Sequence, residues 1–254
     1  MRSLFFLMFI LAFNISNICY SQKLHALMFV NEQEQGREVD RKADMSNMYK
    51  FWGDIANRIG YEYIPQKCSP STFTASNVNA KIQGLSVGHN DIVVFYYSGH
   101  GYNDESDIWP TLNLKDKNYR QIEIMKKLKQ VAYNAKLILC IADCCNKQHT
   151  SSYDFTSAYD AMEDNNSLVK LFRGFKGKKS IMMSASKQGQ YSWSDLRYGA
   201  MYGNALRQVI YRLNSANPTW DVVLNDVANL TYRYSDGKQI PQFNITQSGD
   251  PFEN

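Results

Sequence analysis

The chain has 254 residues, 44% apolar, 20% charged and 13% aromatic, a composition that can bury a core and excludes a disordered or low-complexity polymer. A net charge of +4, spread evenly along the chain, excludes the dense basic patch expected of a nucleic-acid binder. The length suits one large α/β domain or two small ones.

Residues 1–21 differ in kind from the rest of the chain. Arg2 gives a short positive start, Leu4 to Phe13 run without a polar side chain, and Cys19-Tyr20-Ser21 precede Gln22. Small residues at the last and third-last positions are what a signal peptidase accepts, and the apolar run is too short to span a bilayer comfortably. The pattern predicts a signal peptide over 1–21 and a mature, periplasmic or extracellular chain over 22–254, without a stable membrane anchor. A retained anchor is the alternative. Ile18 is a poor residue ahead of a lipidated cysteine, which argues against Cys19 as a lipoprotein site. Losing Arg2 leaves 27 basic against 24 acidic residues, a net +3. Exported proteins often pair their cysteines. Of the remaining Cys68, Cys140, Cys144 and Cys145, however, the adjacent two rarely bond each other, and no pair of C-x-x-C units suggests zinc. At least one thiol is expected to be free.

From Lys23 onward, strand and helix patterns alternate. Leu24–Val30 is an apolar run, followed by the polar loop Gln33-Glu34-Gln35-Gly36. Met45, Met48, Phe51, Trp52, Ile55 and Ile59 then recur at helical spacing until Gly60 ends the pattern. Tyr61–Ile64 reads as a strand, and Thr74–Ile82 as a helix opened by Ser76. Ile92–Tyr97 and Leu137–Ala142 are apolar on both faces, as central parallel strands are, with a helix at Arg120–Val131 between them. Ser180–Met183 is a further strand. Helices are predicted near Gly199–Leu213 and Trp220–Tyr234, and Ile240–Phe243 as a closing strand. The basic cluster Lys176 with Lys178-Lys179 reads as a solvated turn, or else as a self-cleavage site. With no repeat or linker to divide it, the sequence predicts a single α/β domain. Its mostly parallel central sheet has about six strands, with helices on both faces.

In such sheets the chemistry sits beyond the carboxyl ends of the strands. Ser98-Gly99-His100-Gly101 follows one central strand, and Asp143-Cys144-Cys145-Asn146 follows the other. A thiol is largely protonated at neutral pH and needs a base to become a nucleophile. An imidazole can take that proton and later deliver it to the leaving amine. The glycine beside His100 lets backbone approach a substrate and offers an N–H to a developing oxyanion.

These residues carry a resemblance. Asp91 to Gly101 (DIVVFYYSGHG) is similar to the histidine motif of the caspase/metacaspase family, and Leu137 to Cys145 (LILCIADCC) resembles its Asp-x-Cys motif. The 45 residues from His100 to Cys145 match the roughly 50 of caspase-type enzymes. Asp44-Met-Ser-Asn-Met48, Ser184 to Ser192, Tyr198 to Ala205 and Gln239 to Phe243 extend the likeness over about residues 23–245. The resemblance implies a caspase–haemoglobinase fold and cysteine endopeptidase activity on peptide or protein substrates, with no organic cofactor. It makes Cys145, two places after Asp143, the nucleophile and His100 its base, with the N–H groups of Gly101 and Cys145 as the oxyanion hole. Asp143 and Asp44 then become the carboxylates of a pocket for Arg or Lys.

The chain departs from the family where Asn146-Lys147-Gln148 comes after the nucleophile in place of a glycine-containing segment. Calcium dependence, common among metacaspases, is not carried over, because no ligand cluster is recognisable. Oligomeric state is not read from the sequence. A catalytically inactive caspase-fold interaction module is the alternative function. A metal site at His100, Cys144 and Cys145 lacks a fourth ligand. Taken alone, Asp143 would cap loop backbone and Asp44 would stabilise a helix start. His25, His89 and His149 lie outside the motifs and read as structural or surface residues.

Overall fold

The computed structural model describes residues 22–68, 70–147 and 164–247. The export signal, His149 and Gln148 lie outside the described residues. In chain order the first half comprises β1 (Lys23–Val30), α1 (Glu38–Ile59), β2 (Glu62–Lys67), α2 (Ala75–Gln83), β3 (Ile92–Ser98), β4 (Gly101–Tyr102), β5 (Thr111–Asn113), β6 (Asn118–Arg120) and α3 (Gln121–Val131). The second half comprises β7 (Leu137–Asp143), α4 (Asn165–Arg173), β8 (Lys179–Ser184), β9 (Ser194–Asp195), β10 (Gly199–Ala200), α5 (Met201–Tyr211), α6 (Trp220–Tyr234) and β11 (Gln242–Gln247).

The main sheet runs β2-β1-β3-β7-β8-β11, parallel throughout except for β11, which pairs antiparallel with β8. Every residue of β3 and β7 is buried, because each face of the sheet is covered. Ile92, Val94 and Tyr96 point into one layer with Phe51 and Trp52 of α1 and apolar residues of α4, α5 and α6. Val93, Phe95 and Tyr97 point into the other with Val78 and Ile82 of α2 and Ile124 and Leu128 of α3. Period-two alternation feeding two cores is why these strands read as unbroken apolar runs. The expected six-stranded, mostly parallel sheet with helices on both faces is the observed one.

Boundaries move where local chemistry decides. Helix α1 starts at Glu38, so Asp44 sits in its second turn and does not open it. Gly36, at φ 75°, turns the chain in, and Glu38 and Asp40 favour the helix start through its dipole. The cap of α2 is Thr74, whose hydroxyl accepts from Asn77 N, and not Ser76. Helix α5 begins at Met201 because Gly199 and Ala200 are held in the β9–β10 pair. The closing strand starts after Pro241, which has no N–H for a ladder, and runs to Gln247. Helix α4 and the small β4-β5-β6 sheet were not expected, the latter because its strands have only two or three residues each.

Candidate active site

Parallel register brings the two motifs together. Ser98, the last residue of β3, lies opposite Asp143, the last residue of β7. The chain leaves both strands at one edge, placing His100 and Cys145 each two residues further on. Both line one small pocket, with Ser192 and Trp193 of the loop after β8 along its wall. The two strand-end loops touch at Gly101. A Cβ there would lie 2.4 Å from Cys144 Sγ and 2.7 Å from the Cys145 carbonyl oxygen, so no other residue fits without pushing the His and Cys loops apart. Gly101→Ala is therefore expected to destabilise the fold by roughly 1–3 kcal/mol, the usual cost of overpacking. Urea or thermal melts measure it, and an unchanged midpoint would contradict the contact.

Cys145 is 8% exposed. Its sulfur accepts from Ser192 N at 3.4 Å and faces the Ser192 carbonyl at 3.7 Å. Burial pushes the thiol above its ordinary range, and the bond from Ser192 N only partly offsets this. The resting group is thus a thiol, and it could act as a nucleophile only with a base to take its proton. Cys144 is buried more deeply, packs with the α2/α3 layer and is pushed well up by the same desolvation. Cys140, Cys144 and Cys145 are in no disulfide. His100 has a half-exposed side chain and is not hydrogen-bonded to Cys145. Its Nε2 lies 3.0 Å from Glu34 Oε1.

Beneath His100 and Cys145 is a buried floor of ionisable side chains. Asp143 Oδ2 accepts from Gly203 N at 3.0 Å and from Tyr96 Oη at 3.2 Å, while Oδ1 is buried without a partner. Desolvation, then the neighbouring Asp44 charge, pushes the Asp143 carboxyl up to about 8. Asp44 is not a free pocket carboxylate. Its Oδ1 accepts from Ala200 N at 2.6 Å, and its Oδ2 accepts from Ser98 Oγ at 2.6 Å and faces Arg41 at 3.5 Å. It is also outside the lining of the pocket. Gly199 passes so close that a Cβ there would meet Asp44 Oδ1 at 2.1 Å, so this carboxylate ties α1 to the start of α5. Arg41 is fixed between Glu34, Asp44 and Ser98, and Arg37 pairs with Asp40 at 2.7 Å and with Ser194. At about 20 Å³ the free space of the pocket admits a water molecule and no side chain.

Asn146, which looked like a departure from the motif, is fully buried and braces the Cys145 loop. Its side chain accepts from Asn103 Nδ2 at 3.0 Å and donates to the carbonyls of Ile108 (2.8 Å) and Ser186 (3.3 Å). Its backbone N–H donates to Gln190. A side-chain amide thus supplies the tight turn without glycine. Gln239 likewise holds the Trp193 wall of the pocket, accepting from Trp193 N at 2.9 Å and donating to Ala185 O at 2.9 Å. Sequence reasoning missed Glu34 and Arg41. The available signal was charge at 37, 40, 41 and 44, spaced as one helix face and continuous with the apolar Met45 and Met48.

Comparison with solved structures finds the same architecture elsewhere. Caspase-1 from Spodoptera frugiperda superposes with a TM-score of 0.54 at 14% identity, covering 88% of this chain and 85% of that one. A Geobacter sulfurreducens protein gives 0.53 at 17% identity, covering 91% and 95%. At such identities the likeness is one of fold. No curated protein matches. A family model for the caspase domain, Peptidase C14, matches residues 31–252, which take in both strand-end motifs and every strand of the main sheet except β1. The chain belongs to the caspase domain family, whose members are generally cysteine peptidases.

Proposed function

We propose that the chain is an exported cysteine endopeptidase that cleaves after Arg or Lys, with Cys145 as nucleophile and His100 as base. The observation that carries this reading is the register of β3 and β7, which puts one imidazole and one reactive-edge thiol on the same pocket. In the reaction the Cys145 proton passes to His100 and the sulfur attacks the scissile carbonyl. The N–H groups of Gly101 and Cys145 receive the oxyanion, and His100 returns the proton to the departing amine. Water then hydrolyses the thioester with the same base.

The basic preference rests on Asp143 alone, since Asp44 is saturated. The pocket also holds Arg37 and Arg41, but both guanidinium groups already face carboxylates, whereas Asp143 Oδ1 has no partner. Because the free space is water-sized, the Ser192–Ser194 wall must open for a P1 side chain to enter. A P1 scan with fluorogenic peptides on the mature protein tests the reading. Hydrolysis after Arg or Lys that disappears in Cys145→Ala supports it. A preference for Asp at P1 rejects the specificity, and no labelling of Cys145 by a peptide acyloxymethylketone rejects catalysis.

Export is inferred from the charged start, apolar run and Ser21-Gln22 junction. Among the described residues, no helix is long and apolar enough to cross a membrane. N-terminal sequencing of exported material is expected to begin at or near Gln22. An intact Met1 on membrane-embedded protein is the contrary result.

A further inference from the structure

Glu34 lies in the loop after β1, far in sequence from both motifs, yet its carboxylate meets His100. Its side chain is 3% exposed. Oε1 lies 3.0 Å from His100 Nε2, and Arg41 grips the same carboxylate from the other side, Nε to Oε2 at 3.0 Å and Nη2 to Oε1 at 3.3 Å. Arg41 is itself anchored on Ser98, two residues before His100, at 3.0 Å. A turn that bonds Glu34 N to Asn31 O and Arg37 N to Glu34 O fixes the backbone. A buried carboxylate held this firmly is built to hold something else.

We infer that Glu34 is a positioning residue for His100, fixing the ring proton on Nε2 so that Nδ1 is left to take the proton of Cys145. A neutral imidazole carries one N–H, and a carboxylate can only accept. Nε2 must therefore be the protonated nitrogen, and the lone pair sits on Nδ1. When the Cys145 S–H bond breaks, the sulfur keeps the electron pair and the proton goes to Nδ1. The imidazolium so formed then donates to a carboxylate already in place. Arg41 shares the charge of Glu34, so the main effect is on tautomer and ring orientation. The same logic makes an acceptor behind a catalytic histidine worth roughly 10²–10⁴-fold in kcat where it has been removed.

This rests on the peptidase reading, and the isosteric Glu34→Gln variant separates the two. Glutamine has one oxygen. Arg41 can only donate, so it takes that oxygen and turns the amide NH₂ toward His100, which forces Nε2 to accept and moves the ring proton to Nδ1. Two measurements on full mature protein test the role. In ¹⁵N-histidine-labelled protein, with His100→Gln to assign the signal, the wild type is expected in the Nε2–H form and Glu34→Gln in the Nδ1–H form. In peptide hydrolysis, Glu34→Gln is expected to lower kcat by about 10²–10³-fold with KM within about threefold, and Glu34→Asp to recover Nε2–H and most of kcat. The same tautomer in wild type and Glu34→Gln overturns the inference, as does an unchanged kcat in an active enzyme. If the wild type hydrolyses nothing but the ring still changes tautomer, the peptidase reading falls and the role of Glu34 stands.

Discussion

Cys145→Ala is expected to abolish peptide hydrolysis, with kcat falling on the order of 10⁵–10⁶-fold, the scale reached when nucleophile and base act as one unit. His100→Ala should lose several orders of magnitude by the same logic. Cys144→Ser is expected to retain substantial activity. Its neighbour Cys144 packs against the Gly101 backbone and into the α2/α3 layer, while the Cys145 sulfur lies against the Ser192 backbone at the pocket wall. Because burial raises the Cys145 thiol, a small alkylating agent should label it slowly at neutral pH and faster as pH rises above neutrality. Mass spectrometry of the labelled peptide decides between the adjacent thiols. Label on Cys144, with Cys145 untouched, would overturn the assignment.

Asp143 gives the second large effect, and it has two separable parts. For substrates, Asp143→Asn removes the one pocket carboxylate with an unpartnered oxygen. Leaving a cationic P1 group unpaired in a buried site costs roughly 3–5 kcal/mol, which is hundreds- to thousands-fold in kcat/KM for Arg substrates. Labelling of Cys145 by a small alkylating agent should persist. In the wild type the carboxyl is pushed up to about 8, so it must lose its proton to pair with an incoming cation. The kcat/KM for Arg substrates is accordingly expected to climb with pH until about 8.

For stability the sign is opposite. An ordinary aspartate titrates near 3.8, so between that value and about 8 the folded state binds a proton that the unfolded chain has released. Stability contributed at this site is therefore lost as pH rises through that window, at no more than roughly 1.4 kcal/mol per pH unit. Asp143→Asn, which cannot ionise, should melt higher than wild type by a margin that widens from pH 4 to 8 and is flat above. An equal margin at all pH values would mean that the carboxyl is ionised in the folded protein and that its raised titration is wrong.

The sheet was legible because β3 and β7 are continuous apolar runs bounded by turn residues, and such runs fit few environments besides a covered parallel sheet. The same runs end in Ser-Gly-His-Gly and Asp-Cys-Cys, so His100 and Cys145 could be put forward from chain order alone as a candidate pair. Short strands β4 to β6 and β9 to β10 carried no usable period, and α4 is too brief to stand out beside an unpatterned stretch. The fate of the charged residues was decided only in three dimensions. Asp44 and Asp143 look equivalent as carboxylates near motifs, yet one is saturated by Ser98, Ala200 and Arg41 while the other keeps a bare oxygen. Glu34 reads as a polar loop residue until Arg41 and His100 converge on it. Apolar patterning is written locally because burial recurs with the period of the element. The partner of a buried charge can lie 156 residues away, as the Ala200 N–H does from Asp44, and only the folded chain brings the two within hydrogen-bonding distance.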